Sequence, residues 1–265
     1  MIKRVAIIIE SSTVKGQKDL PGARLDAANW RSFLTSDIGG AWNDNEIILR
    51  PKPSAGYVKT LLDACKDSYV FLAFSGHGCE EYDSYKRKFV SKICLNDNEQ
   101  EVDIDTISPK RLGTAIFDCC RGIENAQGRI KVANESFAAG RGVAFGIGMD
   151  SANQIALNTR RGEQEKVSNI FLNQIESMNT HDSVRMYSCG KGESAGEDAN
   201  AGGYYTTLLI QGSRIWADAQ RESRYYAVYT TKQAHDFVCE AMKEVNPQQH
   251  PEYTPVWQSY PFAIG

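Results

Sequence analysis

The chain has 265 residues, 42% of them hydrophobic and 24% charged, with a formal net charge of −3 at pH 7. That length buries a full sheet between helix layers, and the mild acidic balance without a basic run argues against a nucleic-acid-binding surface. No apolar stretch approaches the roughly 18 residues of a membrane helix, and the run after Lys3-Arg4 stops at Glu10, far short of a secretion signal.

Val5 to Ile9 reads as a first buried strand. Pro21-Gly22 introduces a helix over about Arg24 to Leu34, with Ala27, Trp30, Phe33 and Leu34 on one side. Ile47 to Leu49 reads as a short strand stopped by Pro51 and Pro53. Ser54 is placed to cap the next helix, which turns Val58, Leu61, Leu62 and Cys65 inward. Tyr69 to Phe74 is a continuous apolar run with the composition of a strand buried on both faces. Ser75-Gly76-His77-Gly78 follows it, and then a polar, acidic region from Glu80 to Asp105.

Leu112 to Phe117 reads as the next buried strand, ending in Asp118-Cys119-Cys120-Arg121-Gly122. From about Ile123 to Asp182 the pattern is less regular. Val143 to Met149 reads as a strand or a buried loop, Asn158 to Glu163 as an exposed polar stretch, and Glu165 to Met178 as a helix. Val184 to Ser188 reads as a strand, Tyr204 to Ile210 as the start of a helix, and Thr231 to Val245 as another helix. Pro247 to Pro261 reads as an irregular, aromatic-rich tail. Apolar strands alternating with amphipathic helices predict an α/β fold with a mostly parallel sheet and helices on both faces.

The two motifs end two of these strands, where ligands bind in such sheets. A thiol and an imidazole there suit a cysteine hydrolase: the thiolate attacks, and the histidine sets its protonation and later protonates the leaving group. The seven cysteines are odd in number and lack CxxC pairing, which fits reduced thiols in a cytoplasmic compartment rather than a disulfide framework or a zinc site. The glycines of Gly140 to Gly148 do not form a dinucleotide-binding loop.

Cys120-Arg121-Gly122 with His77 upstream matches the caspase pattern Q-A-C-[RQG]-G with its first two positions changed. The chain resembles the caspase/metacaspase clan of cysteine peptidases, and most of all its metacaspase-type and prokaryotic caspase-like members, which carry Ser-Gly-His-Gly and Asp-x-Cys. Asp26 to Asn29, Met186 to Ser188, Gly192 to Ala195 and Gly203 to Thr206 resemble further family segments. The resemblance implies one caspase-like domain over residues 1–265, a three-layer sandwich around a six-stranded sheet. Its large-subunit-like half would span 1–122, a connecting segment 123–182 and a small-subunit-like half 183–265.

By motif, the resemblance implies Cys120 as nucleophile, His77 as its partner, and the N–H groups of Cys120 and Gly78 as the oxyanion hole. Cys119 takes the family's Ala or Ser position. Caspases that cut after Asp hold its carboxylate with arginines and a glutamine, whereas this chain has Leu20 and Asp118 at two of those places. Metacaspases cut after Arg or Lys, with pocket residues corresponding here to Asp26, Ser75 and Asp118. Two carboxylates bind a guanidinium and repel an acid, so the expected preference is Arg, with Lys weaker. An Arg-specific protease also has sites to cut in itself. Arg160 and Arg161 are the foremost, and Arg129 and Arg141 the alternatives.

No cofactor is expected, apart from calcium as an activator in some members of the clan. Its candidate ligands are Asp97, Glu99, Asp103 and Asp105, which lack EF-hand spacing. The expected partners are a protein or peptide substrate and an activating partner, with no nucleic acid and no membrane. The resemblance implies a role in cell-death, stress or defence signalling. The alternatives are a catalytically silent caspase-like scaffold, a protease with a different preference, and a hydrolase or transferase of non-peptide acyl groups.

Overall fold

A computed structural model describes residues 2–99, 101–123, 161–178, 182–223 and 225–265. In chain order its first half contains β1 (Lys3–Ser11), α1 (Pro21–Thr35), β2 (Ile47–Pro51), α2 (Ala55–Ala64), β3 (Ser68–Gly76), β4 (Gly78–Asp83), β5 (Lys88–Ile93), β6 (Val102–Asp103), α3 (Ile104–Ile107) and β7 (Gly113–Asp118). Then come α4 (Arg161–Glu176), β8 (Ser183–Tyr187), β9 (Glu197–Asp198), β10 (Gly202–Gly203), α5 (Tyr204–Gln220), β11 (Val228–Thr230), α6 (Thr231–Val245), β12 (Glu252–Thr254) and β13 (Pro261–Ile264).

The central sheet has six strands in the order β12-β8-β7-β3-β1-β2. All its pairings are parallel except that of β12 with β8. The apolar runs become strands because both sheet faces are covered. Ala6, Ile8, Phe71, Ala73 and Ile116 point into a core with α1, α4, α5 and α6. Their neighbours Ile7, Ile9, Val70, Leu72, Phe74 and Phe117 point the other way, against α2, α3 and the end of β5. A period of two thus feeds two cores from one run of sequence. Trp30 anchors the first core edge-on to Phe71 at 5.3 Å and to Phe262 at 6.1 Å. Side chains of this size contribute about 2–3 kcal/mol each on full burial.

Ser54 caps α2 as expected, its side chain accepting from the Tyr57 N–H at 3.1 Å. Thr230 does the same for α6 in a reciprocal capping box with Gln233.

The acidic region from Glu80 to Asp105, to which the sequence assigned no element, is mostly a three-stranded antiparallel sheet, β4-β5-β6. Its acids are answered by neighbouring groups: Glu81 pairs with Lys92, Glu80 accepts from Ser91, and Tyr82 packs on Phe89 at 5.4 Å. One reading needs correction: the tail from Pro247 to Pro261, expected to be irregular, contains β12, which completes the main sheet. The Val143 to Met149 stretch lies outside the described residues, as do Arg129 and Arg141. Among the described residues, no helix is long and apolar enough to cross a membrane.

Candidate active site

Register brings the two motifs together. In the β3–β7 ladder, Ser75 faces Asp118. His77 and Cys120 each lie two residues beyond that pair, at the carboxyl ends of adjacent parallel strands. Gly78 is the point of contact. A Cβ there would stand 2.8 Å from Cys119 Sγ and 2.9 Å from the Cys120 carbonyl oxygen, so only glycine lets the turns meet this closely.

His77 Nε2 lies 2.6 Å from the carbonyl oxygen of Lys18. A carbonyl only accepts, so Nε2 carries the proton and Nδ1 keeps its lone pair. Burial lowers the His77 pKa, and the Lys18 carbonyl and Asp19 oppose that shift. The ring is therefore neutral at neutral pH. The half-buried Cys120 thiol has its pKa raised by burial, with the Ala195 carbonyl and Ser194 opposing. Its Sγ lies 3.8 Å from the Ala195 oxygen and is not bonded to His77. The resting pair is a thiol and an imidazole, both uncharged.

Two N–H groups beside this space are not taken up by the ladders around them. The Cys119 N–H donates to Ser188 Oγ at 3.1 Å and the Arg121 N–H to the Glu193 carbonyl at 2.8 Å. The Cys120 N–H between them has no partner among the described residues. The Cys94 N–H donates to the His77 carbonyl, which makes Gly78 and Ile93 a non-hydrogen-bonded pair in the β4–β5 ladder. The Gly78 N–H therefore turns away from β5.

Next to this lie Asp26 from α1 and Asp118 at the end of β7, both buried. Asp26 Oδ1 accepts from the Gly203 N–H at 2.9 Å, and Asp118 Oδ2 accepts from the Thr206 N–H at 3.0 Å and its hydroxyl at 2.8 Å. A Cβ on Gly203 would stand 2.3 Å from Asp118 Oδ2 and 3.0 Å from Asp26 Oδ2, so the two carboxylates converge on one point. Burial, and then the charge of Asp118, push the Asp26 pKa well up; burial also raises that of Asp118. Ser75 Oγ lies beside Asp26 and favours its charged form, without the geometry of a full hydrogen bond. No basic side chain answers the pair among the described residues.

A family model described as the caspase domain matches residues 3–259. The chain belongs to the caspase family. Two crystal structures share its fold. One, a Geobacter sulfurreducens protein, has a TM-score of 0.54 at 13% identity, over 97% of this chain and 93% of its own. The other, caspase-1 from Spodoptera frugiperda, has a TM-score of 0.53 at 13% identity, over 96% and 86%. At that identity the likeness shows the fold alone. No curated protein matches the chain at a significant level. Membership of the caspase family makes the chain a cysteine peptidase by descent, with protein or peptide as its substrate class.

Other residues flank this candidate site. Arg121 is buried, and its guanidinium meets Glu80 at 2.8 Å, Glu252 at 2.5 Å and the Cys189 carbonyl at 3.1 Å, above the Tyr187 ring. Cys119 is buried, with its thiol held far from ionisation by that burial, which fits a packing role. Sequence reasoning missed Lys18, because a backbone carbonyl has no side-chain signature. It also missed Glu197, whose charged form is disfavoured by burial, favoured by the Gly22 and Ala23 N–H groups at the start of α1, and disfavoured by the Asp118 charge.

The calcium candidates are not assembled into a site. Asp97 pairs with Lys52, Asp103 with Lys86 and Asp105 with Arg185, while Glu99 accepts from the Ala55 N–H. Among the described residues, no three His, Cys, Asp or Glu side chains are grouped to hold a metal ion. Arg160 lies outside the described residues, and Arg161 opens α4.

Proposed function

We propose that the protein is a cysteine endopeptidase that cleaves after Arg, and less readily after Lys, using Cys120 and His77. The observation that carries the preference is the buried Asp26–Asp118 pair without a cation. A guanidinium entering there favours the charged form of both carboxylates and can bond to each. An acidic side chain meets repulsion and a second desolvation cost.

The neutral resting dyad supports a general-base route. Substrate docking brings Cys120 against His77, and Nδ1 takes the thiol proton as sulfur attacks the carbonyl carbon. The developing oxyanion takes up the N–H groups of Gly78 and Cys120, donors already fixed in place. The imidazolium returns the proton to the leaving amine, and the acyl-enzyme thioester remains. A water then gives a proton to the same Nδ1 as its oxygen attacks the thioester carbonyl; the C–S bond breaks, the carboxyl product leaves, and the imidazolium returns the proton to the Cys120 sulfur. The family resemblance extends this reading to self-processing at Arg160 or Arg161 and to cell-death, stress or defence signalling.

The test compares reporter peptides ending in Arg, Lys or Asp with wild type and Cys120→Ala, with and without calcium. Cleavage after Arg, weaker after Lys and abolished by Cys120→Ala, is the expected result. Cleavage after Asp overturns the pocket while keeping the nucleophile. Absence of cleavage together with a thiol inert to alkylation at neutral pH favours the silent scaffold.

A further inference from the structure

We propose that Asp97, on the loop after β5, is a positioning residue that holds His77 in its Nε2–H tautomer and orientation. This rests on His77 being the base of the dyad. The route runs through the loop at residues 12–20. That loop is closed at its base by the Leu20 N–H on the Ser12 carbonyl at 2.8 Å, and Val14 is buried inside it. Its outer end carries Lys18, whose carbonyl receives the His77 Nε2–H. Asp97 is a side chain from outside that loop that holds it: its Oδ1 accepts the Lys15 N–H at 2.6 Å, and its Oδ2 lies 3.8 Å from Lys52 Nζ.

Asp97 is itself fixed. The Leu95 carbonyl accepts from Ser11 Oγ at 2.6 Å. Asn96 Nδ2 reaches the Pro53 carbonyl at 2.8 Å, and Glu99 Oε2 takes the Ala55 N–H at 2.7 Å, at the start of α2. The same segment holds the backbone of His77, through the Cys94 N–H on the His77 carbonyl at 3.0 Å. One short acidic loop therefore fixes both the main chain of His77 and, through Lys15 and Lys18, its ring. Both Asp97 and Glu99 of this loop are already engaged by protein groups.

Loss of the acceptor at Asp97 removes one constraint on the loop that presents the Lys18 carbonyl; a shift of that carbonyl lets Nε2 and Nδ1 compete for the ring proton. A ring with its proton on Nδ1 presents no lone pair to Cys120. A displacement of about 1 Å in such a group costs up to roughly 10²-fold in rate.

The test uses the full chain labelled with ¹⁵N-histidine, as wild type, Asp97→Ala and Asp97→Asn, with His77→Gln to assign the signal. Asn keeps an oxygen for the Lys15 N–H, so the conservative variant should rescue. The expected result is an Nε2–H tautomer with a slowly exchanging proton in wild type and Asp97→Asn, and mixed tautomers in Asp97→Ala. With an Arg reporter, kcat should fall 10- to 100-fold in Asp97→Ala at unchanged KM, and less than about 2-fold in Asp97→Asn. Asp97 is half-exposed, so melting temperatures should stay close to wild type.

An unchanged His77 tautomer in Asp97→Ala overturns the proposal, whatever happens to stability. So does an Asn variant as impaired as the Ala variant, because that assigns the effect to the Lys52 ion pair. Tautomer changes as expected in a wild type that cleaves no reporter leave the positioning role standing and remove the protease reading.

Discussion

Asp26 sits where two requirements collide. Its carboxylate is buried beside a second one, and burial and the charge of Asp118 raise its pKa well above the ordinary value. A carboxyl whose folded pKa is raised favours folding in its protonated form. That contribution is complete below the unfolded value and is lost as pH rises through the folded one. The free enzyme thus gives up stability toward neutral pH to keep an anionic pocket ready for a cation. Asp26→Asn removes the ionisation and keeps an oxygen for the Gly203 N–H. It should melt higher than wild type at neutral pH and flatten the decline in stability that begins as pH rises above the ordinary carboxylate range. Cleavage after Arg should be lost at the same time. A variant that melts lower at neutral pH and still cleaves after Arg would refute both halves of this account. Thermal scans across pH and a reporter assay decide it.

At the scale of elements, the nucleophile turn is held by one side chain that ties three of them together. Arg121 leaves the end of β7 and draws Glu80 of β4 and Glu252 of β12 onto its guanidinium. Replacing one member of such a buried set leaves an uncompensated charge, which costs about 3–5 kcal/mol. Arg121→Met should lower the denaturant midpoint accordingly, and Arg121→Met with Glu80→Gln should recover part of it, because the second change removes the stranded charge. A double variant less stable than the single one would show that Glu80 is held by its other partners instead.

The same elements explain what was legible in the sequence. β3 and β7 stood out because both their faces are buried, and the motifs at their ends exposed His77, Cys120 and Asp118. β12 did not stand out: of its three residues only Tyr253 is buried, and the strand exists because β8 offers it an edge. The β4–β5 hairpin read only as a polar, acidic region because its acids are balanced by groups on the facing strand, a pairing that no local pattern reveals. Asp97 drew notice only as one acid among several, since its partner is a backbone N–H far away in sequence.

Across the whole molecule, the main sheet ignores the division of the sequence into halves. β8 lies between β7, from before residues 124–160, and β12, from after them. Thr114, Ala115 and Ile116 face Val184, Arg185 and Met186 in continuous parallel register. The first core likewise mixes both sides: Phe262 of β13 packs on Trp30 and Phe33 of α1, and Tyr260 packs on Tyr69 of β3. Parting the halves would break a ladder in the middle of the sheet and open that core to water, at a cost of roughly 25 cal/mol for each Å² of apolar surface exposed. A chain break between residues 124 and 160 removes neither the ladder nor the core. A single cut there, made by the enzyme itself or at an inserted protease site in Cys120→Ala, should therefore give two bands under denaturing conditions. The same sample should elute as one peak at the size of the intact chain in native buffer. Two separate native peaks would mean that the seam between β7 and β8 depends on the covalent connection, and that the halves are not one folding unit.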